Sequence, residues 1–347
     1  MKIVKTSDSR ISSIDFSNLP FGRIFSDHML ECHYKDEEWL EPIIKPYGPI
    51  SMYPGTQVLH YGQSIFEGMK VFKNRDNELL FFRPKENFKR LNRSAIRLSI
   101  PEIPEEIFFN GMKELLRLDH VWCKAEDGYS LYVRPFIYSS SEWIKASAGD
   151  EFTFMIITTP TINYYTGAID LVIEQNFSRA TRGGVGHIKA AGNYAASFYP
   201  TKIANSKGFT QVIWTDSKEH KYIEESGTMN IWFRIGDKLI TPSLSDSILG
   251  GVTRDSILEL AIDEGIEVEE RDISVSEIVE ASNNNLLLEA FGTGTAVSVV
   301  AVQSITLNND KMFIPQQLNP YSMLLKKRLQ DIQYGRVDDN FNWTIKI

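Results

Sequence analysis

The sequence predicts a mixed α/β (α+β) protein of two domains, and three observations carry that prediction. Its 347 residues are about twice the length of a common domain of roughly 150. Strand-like and helix-like segments alternate in both halves. Between Thr161 and Gly167 the chain turns polar, aromatic and turn-prone, as TINYYTG, which marks a boundary. We therefore expect an N-terminal α/β domain over 1–162, an interdomain loop over 163–170 and a second domain over 171–347. A cleft between two such domains is the usual place for a ligand.

The elements follow from local pattern. Leu79–Phe82, LLFF, reads as a strand. Over Lys85 to Leu98 the apolar residues Phe88, Leu91, Ala95 and Leu98 share one helical face. Tyr129 to Tyr138 and Phe152 to Thr159 are rich in branched and aromatic residues and read as strands, as do Leu171 to Glu174 and Gln211 to Thr215. Gly236-Asp237 separates Met229 to Ile235 from Lys238 to Thr241, the spacing of a two-residue hairpin. Ile257, Leu260 and Ala261 make an apolar face over Ser256 to Asp263, and Gly265 closes that helix.

Composition narrows the function classes. With 42% apolar residues there is ample surface to offset the entropy of ordering, so disorder is excluded as the dominant state. A net charge of −8 argues against a nucleic-acid partner, which needs a basic footprint. Only Cys32 and Cys123 occur, which excludes a disulfide framework and any zinc-site spacing. Met1 to Ser13 holds no apolar run of signal-peptide length, and Leu286 to Val302 is too interrupted to span a membrane. A cytoplasmic protein without membrane contact is the expectation.

Five clusters could carry chemistry. In Gly183 to Ala196, GGVGHIKAAGNYAA, one lysine, Lys189, stands among glycines and alanines. Burial there would strip its hydration, lower its pKa and make the amine a nucleophile or base; taken alone, a lysine in a glycine-rich loop is usually a surface residue. The run is not a P-loop, because Lys189 lies between Ile188 and Ala190. In Ile223 to Asn230, IEESGTMN, Glu225 could be buried against a cation, or sit solvated at a strand end. Gly250 to Arg254, GGVTR, could offer helix N-terminal amides to a phosphate, or be an ordinary turn with Thr253 as N-cap. Phe291 to Val297, FGTGTAV, could be an anion-binding turn or a plain strand connection. Arg90, Arg93 and Arg97 form a helical stripe from which one arginine could turn inward. Together these fit a phosphate-bearing aldehyde cofactor that joins a lysine, namely pyridoxal 5'-phosphate.

The motifs and their order resemble the branched-chain amino acid aminotransferases of the class IV, fold type IV pyridoxal phosphate family. They run from Pro20-Phe21-Gly22 and Asp27-His28-Met29 to Asp331-Ile332-Gln333-Tyr334-Gly335. Between lie Phe66 to Lys70 (FEGMK), Phe82-Arg83-Pro84, Tyr132 to Pro135 (YVRP), Lys189 to Tyr194 (KAAGNY), Glu225 to Asn230 (ESGTMN), Gly251 to Arg254 (GVTR) and Gly292 to Ala296 (GTGTA).

The resemblance implies that Lys189 is catalytic and holds the cofactor as a Schiff base. It implies that Tyr194 bonds the cofactor's phenolic oxygen, Glu225 pairs with the pyridine nitrogen and Arg90 binds the phosphate. Thr228, Val252, Thr253, Thr293 and Thr295 supply remaining phosphate or substrate-carboxylate contacts. Phe21, Tyr61, Phe66, Tyr132 and Tyr164 match the family's aromatic substrate lining, with Thr228, Thr295 and Ala296 beside it, and Arg134 matches the arginine that accommodates glutamate. The implied fold has a smaller N-terminal and a larger C-terminal domain with the cofactor cleft between them. The implied activity is reversible amino transfer between L-leucine, L-isoleucine or L-valine and 2-oxoglutarate, by a homodimer. A D-amino acid aminotransferase, an aminodeoxychorismate lyase and a non-catalytic scaffold remain alternatives. Mammalian members carry a CxxC pair after the GTA turn, where this chain has Val297 and Val300, so thiol regulation is not expected there.

Overall fold

A computed structural model describes residues 1–162 and 167–347. The first part of the chain forms β1 (Lys2–Ile3), β2 (His28–Lys35), β3 (Glu38–Trp39), β4 (Ile43–Pro46) and the short α1 (Val58–Tyr61). It continues through β5 (Ser64–Phe66), β6 (Met69–Lys73), β7 (Leu79–Phe82), α2 (Pro84–Arg97), α3 (Glu105–Leu118), β8 (Ser130–Ser139) and β9 (Phe152–Thr161). The second part holds β10 (Ile169–Ile173), α4 (Ala191–Ser206), β11 (Gln211–Thr215), β12 (Ile223–Ser226), β13 (Asn230–Ile235) and β14 (Lys238–Thr241). After these come α5 (Val252–Asp263), β15 (Val268–Glu270), α6 (Val275–Asn283), β16 (Leu287–Gly294), β17 (Ser298–Leu307), β18 (Asp310–Phe313), α7 (Tyr321–Gln333) and β19 (Thr344–Lys346).

Two compact units result. The first takes the residues before 163 together with Lys189–Gly192 and Ile332–Ile347. Its sheet runs β1-β4-β2-β9-β8-β6-β7-β19, with β3 on β2 and β5 on β8. All its pairs are antiparallel except β1 with β4. The core lies where Leu91 and Ala95 of α2 and Phe108, Met112 and Leu115 of α3 meet Leu131, Val133 and Ile156 of the sheet. Pro84 opens α2, a position where a missing N–H costs nothing.

The second unit holds Gly167 to Ile188 and Asn193–Asp331. Its sheet runs β12-β11-β10-β17-β16-β13-β14-β15, with β18 on β17, and mixes parallel and antiparallel pairs. Ile231 and Phe233 of β13, Ile305 of β17 and Ile278 of α6 are fully buried in its core.

Differences from the sequence reading have local causes. Strand β10 starts at Ile169, inside the stretch expected to be loop, because Ile169 pairs with Val302. Ile332–Ile347 groups with the first unit rather than the second, since β19 pairs with β7. Helix α5 starts at Val252 with Gly251, not Thr253, as its N-cap. A Cβ on Gly251 would lie 2.1 Å from Asn230 Oδ1, so only glycine fits that approach. The hairpin at Gly236-Asp237 is present, with Ile235 opposite Lys238. No helix of the described residues is long and apolar enough to cross a membrane.

Candidate active site

Lys189 opens the short segment Lys189–Gly192 of the first unit, and the chain on either side of that segment belongs to the second. Its main chain is fixed at both ends. The Lys189 N–H donates to Ser94 Oγ at 3.1 Å, and its carbonyl accepts from Phe66 N at 3.1 Å. The next residue, Ala190, bridges to Ile65. The lysine is therefore tied to β5 and to the inward face of α2.

The amine lies 4.8 Å from the centre of the Phe66 ring. Burial, aided by the charge of Arg90, lowers its pKa to about 8, with Glu67 opposing the shift. A lysine at that value is part neutral near physiological pH, so it can attack a carbonyl or take a proton.

Arg90 is the stripe arginine that turns inward. It is 4% exposed, whereas Arg93 and Arg97 are exposed. Its Nε donates to Glu67 Oε1 at 2.7 Å and its Nη2 to Glu67 Oε2 at 2.9 Å. Burial alone would raise the Glu67 pKa, but Arg90, Lys189 and Asn87 more than reverse this and hold the carboxyl below its usual range. Ser94 lies one helical turn after Arg90 and donates to the Arg90 carbonyl.

The aromatic residues form a connected group on the same unit. Phe21 meets Tyr132 edge to face at 5.2 Å. Arg134 lies 4.5 Å from the Phe66 centroid and donates through Nη2 to the Tyr132 hydroxyl at 2.9 Å. A Cβ on Gly68 would come within 2.0 Å of that hydroxyl, so glycine is what admits the ring. Tyr61 stands elsewhere: it is half exposed, donates to the Ile144 carbonyl at 2.6 Å and lines a cavity of about 420 Å³ with Gln57, Gln63 and Arg97. Tyr164 lies outside the described residues.

In the second unit Tyr194, Glu225 and Thr228 line one small pocket with Arg179, Asn193, Ser197, Gly227 and Leu249. Glu225 is 3% exposed. Its Oε1 accepts from Leu249 N at 2.5 Å, and Arg179 Nε lies 3.3 Å from its Oε2. The side chain is thus the buried carboxylate facing a cation that the sequence allowed. A bulge opposite Trp214 and Thr215 skips Glu224 in the pairing, and Glu224 is buried as well, accepting from Ser247 Oγ.

Val252 and Thr253 are the first two residues of α5, where helix amides lack intrahelical acceptors. Thr295 and Ala296 sit half buried in the turn between β16 and β17. Thr293 is placed differently, inside β16 and 1% exposed, with its hydroxyl accepting from the Trp232 indole at 3.1 Å. Sequence reasoning missed Glu67, Ser94, Asn87 and Arg179 as members of these groups. Glu67 stood inside the FEGMK motif, but nothing in one chain says which carboxylate meets Arg90.

The chain is similar to known proteins over most of its length. The family described as "Amino-transferase class IV" matches residues 64–305. The branched-chain-amino-acid aminotransferase 2 of Bacillus subtilis is 40% identical over 99% of this chain and 96% of its own length. The solved branched-chain aminotransferase of Thermoproteus uzoniensis, determined with norvaline, has a TM-score of 0.77 at 23% identity, over 92% of this chain and 99% of that one. That of Thermobaculum terrenum in its PLP form has a TM-score of 0.74 at 22% identity, over 92% and 98%. The two structures share the fold type IV architecture. By the extent of both sequence matches, the chain belongs to the class IV aminotransferases and, within them, to the branched-chain-amino-acid aminotransferases.

Proposed function

We propose that this protein moves an amino group reversibly between L-leucine, L-isoleucine or L-valine and 2-oxoglutarate, with pyridoxal 5'-phosphate held at Lys189. The observation that carries this reading is the half-buried Lys189, its amine 4.8 Å from the Phe66 ring centre and its pKa lowered to about 8. The residues present fit that cofactor: a half-buried lysine, a buried arginine, a buried carboxylate at Glu225 and a helix opening at Val252. When bound, the cofactor supplies an aldehyde for imine formation with amines and a ring that accepts the electron pair left at Cα.

The chain's own residues do the rest. Lys189 Nζ would hold the cofactor and serve as the base that takes up and gives back the substrate's Cα proton. Glu225 would pair with the pyridine nitrogen, because an ionised acceptor favours the charged ring. Tyr194 would donate to the phenolic oxygen and Arg90 would hold phosphate, while Val252, Thr253 and Thr295 would contact phosphate or substrate carboxylate and Thr228 and Ala296 would border the substrate. Phe21, Phe66 and Tyr132 give branched side chains an apolar wall, and the Tyr132–Arg134 pair gives glutamate's carboxylate a polar end. We assign Tyr61 and Tyr164 to the same lining, and Tyr61, half exposed beside the cavity it lines, fits a pocket completed by a second copy in a homodimer. A cytoplasmic location accords with two unpaired, buried cysteines.

The test is direct. Purified protein given L-leucine and 2-oxoglutarate should form glutamate, with D-alanine inert in place of leucine. Borohydride reduction should place the cofactor on the Lys189 peptide, and Lys189→Ala should abolish both results. Turnover unchanged in Lys189→Ala would overturn the assignment.

A further inference from the structure

Glu67 has no role in the reaction as set out above, yet it is completely buried and accepts from four donors. Two are Arg90 Nε and Nη2; the others are Asn87 Nδ2 at 2.7 Å and Gly68 N at 3.1 Å. Such a site needs an acceptor on both oxygens, which a carboxylate has and an amide has not. Its own N–H donates to the Pro135 carbonyl at 2.8 Å, so the residue is fixed from its main chain outward.

The placement of this pair matters. Lys189 hangs from two points, Phe66 N and Ser94 Oγ. Glu67 follows the first in sequence, and Arg90 precedes the second by one helical turn. The buried ion pair therefore ties together the two chain segments that anchor the lysine. A buried guanidinium there without its counter-charge would repel a nearby ammonium.

We propose that Glu67 is a positioning residue for the lysine chemistry: it fixes the Arg90 guanidinium by a two-point contact and cancels its charge where Arg90 adjoins the Lys189 segment. This rests on Lys189 being the reactive amine, as proposed above. Glu67 acts on the lysine by holding Arg90 and by its own opposing charge.

The experiment follows the acylation of Lys189 against pH in the full chain freed of cofactor, quantified on the Lys189 peptide by mass spectrometry. In the wild type the midpoint should lie at about 8. In Glu67→Gln, with Arg90 left uncompensated, it should fall by about one unit. In the double variant Glu67→Gln/Arg90→Gln, both charges are gone and the midpoint should return close to the wild-type value. The double variant leaves no unpaired buried charge, so it keeps the test decisive if the single variant does not fold. An unchanged midpoint in folded Glu67→Gln, or a fall of about a unit in the double variant, would overturn the proposal. Borohydride trapping of cofactor on wild-type Lys189 tests the underlying reading separately. Its success beside an unmoved midpoint would refute the role of Glu67 alone.

Discussion

Arg90 and Glu67 face each other through two hydrogen bonds, at 2.7 and 2.9 Å, with both side chains removed from water. Breaking a buried pair by deleting one partner strands the other charge, at about 3–5 kcal/mol. Arg90→Met should therefore lower unfolding free energy by about that amount at pH 7 in urea denaturation. The size of this deficit depends on pH. In the wild type the carboxyl is held below its usual range, so its contribution is full above the unfolded value of about 4.3 and is lost as pH falls through the lower folded value. In Arg90→Met burial dominates and raises the folded value of the carboxyl, so the deficit should shrink as pH falls through that raised value, and again below about 4.3 as the wild type loses its own contribution. A deficit that grows on acidification would contradict this account.

The hydroxyl of Tyr132 is the acceptor for Arg134 Nη2. Tyr132→Phe keeps the ring against Phe21 but removes that acceptor. The expected result is a rise in KM for glutamate of about tenfold, the scale of one charge-assisted hydrogen bond, with less than about twofold change for leucine. Steady-state kinetics with each donor measures the split; equal effects on both would show that the pair does not sort substrates.

Gly68 permits Tyr132 its position, since a Cβ there would meet the hydroxyl at 2.0 Å. Gly68→Ala should cost about 1–3 kcal/mol in thermal or chemical unfolding through overpacking. It should also displace the Tyr132 ring, raising KM for leucine and glutamate together, unlike Tyr132→Phe.

Both cysteines are buried, and burial pushes each thiol up to about 12. A thiol reagent at pH 8 should find neither Cys32 nor Cys123 in the native protein. It should titrate both after denaturant is added. Rapid native labelling would show that one of these sites opens.

Much of the fold was legible because its signals are local. LLFF is strand β7 with the bounds its composition suggested, and the spacing of Leu91 and Ala95 placed the buried face of α2. The same spacing set Arg90 and Ser94 on that inward face, and the tail of β9 lengthened only by continued pairing with β8. The candidate site was legible in part. Lys189 and Glu225 stood out by composition, and their burial could be stated as a requirement of their chemistry. Arg179 and Glu67 could not be found that way, because a carboxylate and an arginine far apart in sequence meet only through the fold. Thr293 illustrates the converse: its motif pointed to a ligand, while strand pairing turned its hydroxyl to the Trp232 indole.

The two main-chain bonds of Lys189 have a consequence for turnover. With its peptide pinned to Ser94 and Phe66, the residue resembles an arm on a fixed pivot, so its amine moves by turning its own butyl stem. In the reaction proposed above, its return after displacement would be an intramolecular step with a high effective concentration, set by a few side-chain torsions rather than by loop motion.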